Sequence, residues 1–451
     1  MATKKELLAA QSFSRRRLLT AFVSGAPGGR ELEPAKPLRG VVAGVVLSVL
    51  VIVGSLIAGL FGDTLPAGWE ESSLVVIKED GARYVARNGT LHPVYNITSA
   101  RLLASPEGFQ VVTASEDQIA GMPRGGVTVG IEGAPDALPT PANLIPTGWL
   151  SCATADVGTW TELESQAAPV TPATGALVVV EGQHYYVAGG YRYPIDAEDL
   201  SSTFELTLHV GSPVGVPATW LNLFEEGAPI GPLVMAGSGD PLAGPAADLA
   251  GFGVGSVVRL RNAQGDVQDP YVFDGDSQLV PLTPLALAMY SLGSGIGDAD
   301  VGVLDYSEAQ SLTIAGTSGF VPSDWPVDAA AQLPDGEMPC ARLQSPEGAS
   351  APSGVMVPSG GRDLSGGAVR VEAGHGAVVQ LDGSGTLGGW AVIDESGTLF
   401  PVPANKPDVL SLLGYAEDDV ARVPYFWGAL FPTGPTLTVE AAARQLGEDG
   451  A

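Results

Sequence analysis

The chain has 451 residues, and its 22 lysine and arginine residues against 50 aspartate and glutamate residues give a formal net charge of −28. The charge is divided unevenly, with +5 on residues 1–62 and −33 on residues 63–451. Nucleic-acid binding needs basic patches, so the large acidic part excludes that class of partner.

The stretch 40–62 reads GVVAGVVLSVLVIVGSLIAGLFG and contains neither a charged residue nor a proline. A helix of this length reaches roughly 34 Å, which is enough to cross a hydrocarbon core of about 30 Å. The sequence therefore predicts a single transmembrane helix. The side chains expected to anchor it in membrane lipid are Val41, Val46, Leu50, Val53, Leu56 and Leu60.

The basic tail at residues 1–39 fixes the predicted topology, because basic residues near one end of a span keep that end in the cytoplasm. We expect residues 63–451 to lie outside the cytoplasm, on a protein of the inner (plasma) membrane. The run Ser14–Leu19 is similar to a twin-arginine export signal. However, the apolar core is too long for a cleaved signal, and Gly62–Pro66 offers no cleavage site. An uncleaved anchor is favoured.

A hairpin followed by proline and a short helix recurs along the acidic part. In the first copy, Tyr84–Val94, alternating residues flank Asn88-Gly89, the strongest short hairpin signal. Pro93 ends its second strand, and a helix is expected from Asn96 to Leu103, capped by Asn96 or Thr98.

Three later copies have the same plan, which predicts four hairpin–helix repeat modules near residues 75–105, 177–202, 256–292 and 377–415. Their predicted turn residues are Gly189, Gly190, Asp274, Gly275, Ser396 and Gly397. The expected helices begin at Asp196, after Thr283 and at Pro407. The copies are too far apart for a solenoid, so we interpret them as small modules set into a larger body.

Short alternating apolar runs between the modules indicate a β-rich core. Examples are Leu177–Val180, Phe204–Leu208, Val257–Leu260 and Ala377–Leu381. The predicted fold class is therefore α+β and rich in β-structure, with the β-rich body following the membrane helix.

The two cysteines, Cys152 and Cys340, both follow the predicted span. That compartment permits disulfides, so a bridge between them is favoured over two buried thiols.

The sequence contains none of three common catalytic motifs: the Walker A phosphate loop, the HExxH zinc motif and the GxSxG nucleophile elbow. Its four histidines are not paired at metal-ligand spacing. These features give no argument for an enzyme, a metal or a cofactor.

The repeat YVARNGTLHPVYNITSARLL, at Tyr84–Leu103, closely resembles the first repeat of the EccB family of type VII (ESX) secretion systems. Further stretches similar to that family follow in the expected order: Trp149–Cys152, Trp220–Phe224, Gly374–Val379, Pro432–Leu437 and Ala441–Arg444. In the tail, Ser14–Val23 resembles the family's basic amphipathic helix, and Ala26–Gly29 interrupts it.

The resemblance implies a structural subunit of an inner-membrane secretion complex. Its outer part would be an elongated body, a β-rich core with the four repeat modules at its edges, tied by Cys152 and Cys340. The implied partners are the EccC ATPase, EccD, EccE, the mycosin protease and further copies of the chain. Two alternatives stay open: a membrane-anchored nucleotide hydrolase and an anchored cell-wall-binding protein.

Overall fold

A computed structural model describes eleven stretches of the chain. They are residues 3–24, 65–105, 109–166, 174–196, 211–297, 300–316, 319–344, 352–365, 369–383, 389–404 and 406–446. The chain divides into two units, Met1–Pro66 and Ala67–Ala451. The predicted membrane helix with its six anchor residues lies outside the described stretches, as does the predicted strand Phe204–Leu208. Among the helices described, none is long and apolar enough to cross a membrane.

The helices, numbered in chain order, are α1 (Lys4–Ser24), α2 (Ile97–Leu103), α3 (Glu116–Ile119), α4 (Ala218–Leu221), α5 (Pro284–Ser294), α6 (Tyr306–Ala309), α7 (Pro407–Leu413), α8 (Tyr425–Gly428) and α9 (Val439–Ala442). Three 3-10 turns also occur in the described part, at Pro141–Asn143, Gly244–Ala246 and Glu417–Asp419.

The strands are β1 (Ser73–Ile77), β2 (Arg83–Arg87), β3 (Thr90–Pro93), β4 (Gln110–Ala114), β5 (Leu150–Ala153), β6 (Thr159–Leu163), β7 (Thr174–Val180), β8 (Gln183–Ala188), β9 (Tyr191–Ile195), β10 (Val214–Gly215), β11 (Glu225–Glu226), β12 (Val257–Arg261), β13 (Val267–Phe273), β14 (Leu279–Pro281), β15 (Gly302–Asp305), β16 (Ala331–Gln332), β17 (Pro339–Gln344), β18 (Ser353–Pro358), β19 (Val369–Val371), β20 (Ala377–Asp382), β21 (Gly389–Ile393), β22 (Leu399–Val402) and β23 (Ala421–Pro424).

The first unit contains α1, which begins well before the segment Ser14–Val23 that the family resemblance singled out. Good helix formers such as Lys, Glu, Leu and Ala fill its first turns, which explains the earlier start. The helix ends at Ser24, where the sequence turns to Gly25 and Pro27, two poor helix formers.

Three sheets of the second unit share one strand order. Sheet 1 runs β3-β2-β1-β4, sheet 3 runs β14-β13-β12-β15, and sheet 4 runs β22-β21-β20-β23. In each sheet an antiparallel meander of three strands leads into a helix. The chain then returns as a fourth strand, which pairs in parallel with the first strand of the meander.

Sheet 2 has the order β10-β7-β8-β9-β11, and β16 also pairs with β7. Its meander is β7-β8-β9, and β10 is parallel to β7, as the fourth strand is in the other three sheets. The helix expected to begin at Asp196 falls largely within residues 197–210, outside the described stretches.

The connecting helices start and stop where their sequences dictate. Asn96 caps α2 by accepting the Ser99 N–H at 2.9 Å, and Thr283 caps α5 by accepting the Ala286 N–H at 3.1 Å. Gly414 ends α7 with a φ of 94°, a left-handed conformation that favours glycine. These positions agree with the sequence expectations for the three helices.

Sheets 1 and 4 share one apolar core. Leu74 and Val85 of sheet 1 pack in the same buried cluster as Val378 and Val392 of sheet 4, and α2 and α7 lie among them. The helix α5 packs against two sheets. Its Ala286 and Tyr290 belong to the core of sheet 3, while Leu285 and Met289 pack with residues of sheet 2.

Candidate functional site

The fifth sheet holds both cysteines, and we refer to it as the disulfide sheet. Its order is β18-β17-β5-β6-β19. Cys152 in β5 and Cys340 in β17 are directly opposite partners in an antiparallel pair, and their sulfur atoms are bonded at 2.00 Å. The bond joins the chain between sheets 1 and 2 to the chain between sheets 3 and 4, across 188 residues. It therefore connects parts of the body that are far apart in sequence.

A small apolar cluster surrounds this bond. Trp160 lies opposite Cys152 on the neighbouring strand and is 2% exposed, and Leu150 and Val357 complete the buried set. Both cysteines are fully buried, so no solvent-exposed thiol chemistry is available at this position.

Charged residues continue the same sheet beyond the apolar cluster. Glu162 on β6 and Arg342 on β17 are the residues that pair directly with Leu150 of β5, one on each side, and both are buried. Arg362 reaches Glu162 with an Nε–Oε2 distance of 3.1 Å, and Glu164 with an Nη2–Oε2 distance of 3.8 Å. A buried charge is costly unless it is paired, so Arg362 compensates for the burial of Glu162.

Arg362 belongs to the segment Ser359–Leu364, which directly follows β18. Ser359 donates its N–H to the Met338 carbonyl at 3.0 Å, and its hydroxyl hydrogen-bonds to the Glu337 carboxylate. The hydrogen bond from the Ser359 hydroxyl lowers the pKa of the Glu337 carboxyl group below its usual range, and the Gly361 N–H, which the same carboxylate accepts at 3.2 Å, adds to this effect. Leu364 packs on the apolar cluster from this segment.

Burial raises the pKa of Glu164, and the neighbouring Glu162 carboxylate adds to the effect. Burial also lowers the pKa of Arg342, with Arg362 as the next cause. Glu164 lines a cavity of about 540 Å³ together with Glu372 and Arg370. In that cavity Glu372 accepts the Ser165 N–H at 2.8 Å, which lowers the pKa of its carboxyl group.

The charged side chains that line the cavity are engaged in contacts with the protein itself. Its carboxylates are engaged by Arg362 and by the Ser165 N–H, and Arg370 lies over the Trp160 ring at 5.9 Å. Within the described stretches, no three His, Cys, Asp or Glu side chains are grouped so that they can hold a metal ion. The arrangement is suited to holding strands together.

A second cavity, of about 400 Å³, lies in a glycine-rich stretch and is lined by residues that include Ser238, Asp240 and Ser256. The backbone there bonds to itself: Gly239 donates to Val254, and Val254 donates back to Asp240, each at 2.9 Å. We assign this stretch a structural role.

The structure places the predicted repeat turns in four separate hairpins. Asn88 and Gly89 have φ values of 50° and 72°, as a type I′ turn requires. Between β8 and β9, Gly189 has a φ of 57°, while Gly190 is not left-handed. Gly397, between β21 and β22, has a φ of 76°.

The third turn differs from the prediction. Asp274 and Gly275 lie in a five-residue loop in which Ser277, not Gly275, is left-handed, with a φ of 62°. The Asp274 carboxylate organises this loop by accepting the backbone N–H groups of Asp276 and Gln278 at 3.0 and 2.8 Å. The Asp274 side chain, which bonds the backbone of its own loop, replaces the two-residue Asp274-Gly275 turn that the sequence predicted.

The fourth hairpin uses the same hydrogen bonds, which the sequence reasoning did not anticipate. Asp394 accepts the N–H groups of Ser396 and Thr398 at 3.1 and 3.0 Å. In both hairpins the residue three after the aspartate is the left-handed one, Ser277 or Gly397. An aspartate followed three residues later by Gly or Ser is the sequence signal that could have predicted these two loops.

These features define a β-rich body of four similarly built sheets and one disulfide-linked sheet. The family model for the type VII secretion system ESX-1, transport TM domain B (EccB), matches residues 1–449. The chain belongs to this EccB family.

Curated relatives carry the same family name. The protein named ESX-1 secretion system ATPase EccB1 of Mycobacterium tuberculosis (strain ATCC 25618 / H37Rv) is 29% identical over 266 residues, covering 55% of this chain and 53% of that protein. ESX-3 secretion system ATPase EccB3 of M. tuberculosis (strain CDC 1551 / Oshkosh) is 26% identical, covering 89% and 82%. In the alignments to ESX-1 and ESX-2 relatives, the chain spans about half the length of each relative or less.

Solved structures show the same fold at low sequence identity. An EccB3 dimer from the ESX-3 core complex matches with a TM-score of 0.65 and 23% identity, covering 83% of this chain and 100% of the other. A chain of an intact ESX-5 inner membrane complex matches with a TM-score of 0.62 and 19% identity, covering 99% and 95%.

Proposed function

We propose that the chain is a structural subunit of the inner-membrane complex of a type VII secretion system and forms part of its periplasmic assembly. The observation that carries this proposal is the match of the EccB family model over residues 1–449. The structures similar in fold are those of an ESX-5 inner membrane complex and an ESX-3 core complex.

The proposed topology follows the sequence: a cytoplasmic tail at 1–39, a membrane helix at 40–62, and an extracytoplasmic body at 63–451. Two observations support it. The basic residues are concentrated before the apolar stretch, as expected for a cytoplasmic end. The bond between Cys152 and Cys340 belongs to an oxidising compartment, which a body outside the cytoplasm occupies.

The body is proposed to contain four repeat modules. They include the ranges predicted from the sequence, 75–105, 177–202, 256–292 and 377–415, and each extends beyond its range. The common strand order of sheets 1, 3 and 4 supports this proposal, and so does the parallel strand β10 in sheet 2. The loops at Asp274 and Asp394 also support the proposal, because each aspartate accepts the backbone N–H of the residue four positions later. Each proposed module adds to those ranges the later strand that pairs in parallel with its first strand.

The proposed partners are further copies of the chain and the EccC ATPase, EccD, EccE and mycosin components. Similar structures include an EccB3 dimer and a periplasmic assembly of the ESX-5 complex, which supports self-association. We propose no catalytic role, although the curated relatives are named ATPases. The missing Walker A sequence supports a motor located in a partner.

The test is purification of the tagged full chain from native membranes in a mild detergent, followed by native mass measurement. The expected result is a large complex that contains several copies and at least one other membrane protein. A stable monomer with no co-purifying membrane protein would contradict the assembly role. An untagged membrane preparation serves as the control for non-specific capture.

A further inference from the structure

The strand β4 forms an edge of sheet 1. Within the described stretches it pairs with β1 alone, in parallel and along its whole length. Ala114 accepts the Lys78 N–H at 2.9 Å, so the backbone groups of Ala114 face β1. Successive residues of a strand direct their backbone groups to alternate sides, so Val111 and Thr113 direct theirs away from β1, along the open edge. Both side chains are exposed, and Val111 is 59% exposed.

The corresponding edge strands of sheets 3 and 4 are protected, whereas β4 is not. The strand β15 ends at Asp305, whose carboxylate pairs with Arg261 at 2.7 Å. The strand β23 holds Arg422, which pairs with Asp382, and ends at Pro424, which has no N–H. Charged residues and prolines are the usual protection of an exposed edge against pairing with another chain. The strand β4 reads QVVTA and contains neither, so it is suited to accept a further strand.

We propose that β4 pairs in antiparallel with β4 of a second copy of the chain, so that two four-stranded sheets form one continuous sheet of eight strands. A two-fold axis at Val112 places Val111 opposite the partner's Thr113, and Thr113 opposite the partner's Val111. Each of these two pairs exchanges two backbone hydrogen bonds. The inference rests on the proposed self-association of the chain and names the surface that carries it.

The side chains of the edge are self-complementary, which selects a second copy as the occupant. Val111 and Thr113 are both β-branched and lie on the same face of the sheet, because they are two residues apart. Residues of this kind pack well as directly opposite neighbours on adjacent strands. The two-fold axis makes each such contact twice.

The charges at the two ends of β4 also complement each other in an antiparallel pair. Arg101 lies over the Phe109 ring, just before β4. Beyond the other end, Glu116 donates its N–H to the Glu79 carboxylate at 3.2 Å, which places two acidic side chains together. Antiparallel pairing brings the basic end of each copy to the acidic end of the other. Residues 63–451 carry −33, so an uncharged strand is where two copies approach at the least electrostatic cost.

Register-specific crosslinking tests this pairing, because the two native cysteines are joined to each other. Two differently tagged full-length chains, one with Val111→Cys and one with Thr113→Cys, are produced together in native membranes and oxidised with copper phenanthroline. The mixed pair should form a disulfide-linked dimer about fivefold more efficiently than either variant alone, because identical positions are offset by about 7 Å along the strands.

The strand β15 supplies the matched controls. Val303 is 44% exposed on that strand, and Val303→Cys should not crosslink to Thr113→Cys above background. A second measurement uses sedimentation of the full chain in mild detergent. Val111→Lys should weaken dimerisation about tenfold, because the two-fold axis repeats the lost contact, whereas Val303→Lys should leave it unchanged.

The outcomes separate this inference from the proposed function. A complex with several copies but no crosslink between the mixed pair overturns the β4 pairing and leaves self-association intact. A chain that is monomeric after mild extraction overturns both. Equal crosslinking by the mixed pair and by either variant alone overturns the register and the proposal with it. A crosslink from Thr113→Cys to a different membrane protein assigns the edge to that protein and overturns pairing with a second copy.

Discussion

Arg101 donates a hydrogen bond from Nη1 to the backbone carbonyl of Leu413, 3.0 Å away in space and 312 residues later in the chain. It also lies over the Phe109 ring at 5.1 Å. This single side chain therefore links α2, beside sheet 1, to the end of α7, beside sheet 4. The described body is held together by such links between early and late parts of the chain.

Replacing Arg101 with methionine should weaken that link. Methionine keeps the apolar stem but leaves the Leu413 carbonyl without this donor, so we expect a loss of about 1–3 kcal/mol in the free energy of unfolding. Arg83→Met is the matched control. Its ion pair with Asp136 is half exposed, and such pairs contribute less than about 1 kcal/mol. Urea unfolding measures both variants, and equal losses would show that Arg101 makes no special contribution.

The disulfide closes a much longer loop than any turn in the body. The double variant Cys152→Ala, Cys340→Ala should lose about 2–5 kcal/mol of stability, because the unfolded chain is no longer constrained. Thermal unfolding of the double variant is compared with the wild type under non-reducing conditions. An unchanged midpoint would mean that the buried packing around Trp160 is sufficient by itself.

The turn between β7 and β8 contains a residue poorly suited to its backbone. Glu181 has a φ of 51° and is followed by left-handed Gly182, so the pair adopts the geometry found at Asn88-Gly89. Asparagine tolerates this conformation better than glutamate, and Glu181→Asn should stabilise the protein by about 1 kcal/mol. The reverse change, Asn88→Glu, should destabilise it by a similar amount. Changes of the same sign in both variants would contradict this assignment.

The two carboxylates beside the cavity should respond to pH in opposite directions. The pKa of Glu164 is raised in the folded state, so its stabilising contribution is present below its ordinary value of 4.5 and is lost as the pH rises through the folded pKa. Glu164→Gln should therefore raise the melting temperature at pH 7, and this gain should shrink in acid.

Glu372→Gln is the matched control for that prediction. Its pKa is lowered, so its contribution is present above 4.5 and is lost as the pH falls. This variant should lower the melting temperature at pH 7 and converge with the wild type in acid. Two variants with parallel pH profiles would contradict the assigned causes.

The sequence predicted what depends on local chemistry. Each of these features depends on a few neighbouring residues: the Asn88-Gly89 turn, the helix caps Asn96 and Thr283, and the helix end at Gly414. Such signals are set by backbone preferences, so they can be read without knowledge of the rest of the fold.

The sequence did not predict the features that depend on distant residues. The parallel strands β4, β15 and β23 pair with strands more than thirty residues earlier, and no local pattern specifies that pairing. The burial of Glu162 under Arg362 likewise joins positions 200 residues apart. The loop built on Asp394 was missed for another reason, because the adjacent Ser396-Gly397 pair already explained a turn.

The central claim is that a large acidic body lies outside the cytoplasm while the chain stays bound to the membrane. Proteinase K added to intact spheroplasts tests it most directly, with a tag before α1 and an antibody against the body as readouts. Our account predicts that the body is digested while the tagged tail stays protected until the membrane is permeabilised. A membrane-bound chain whose body resists the protease in intact spheroplasts, and is digested only after lysis, would contradict the account.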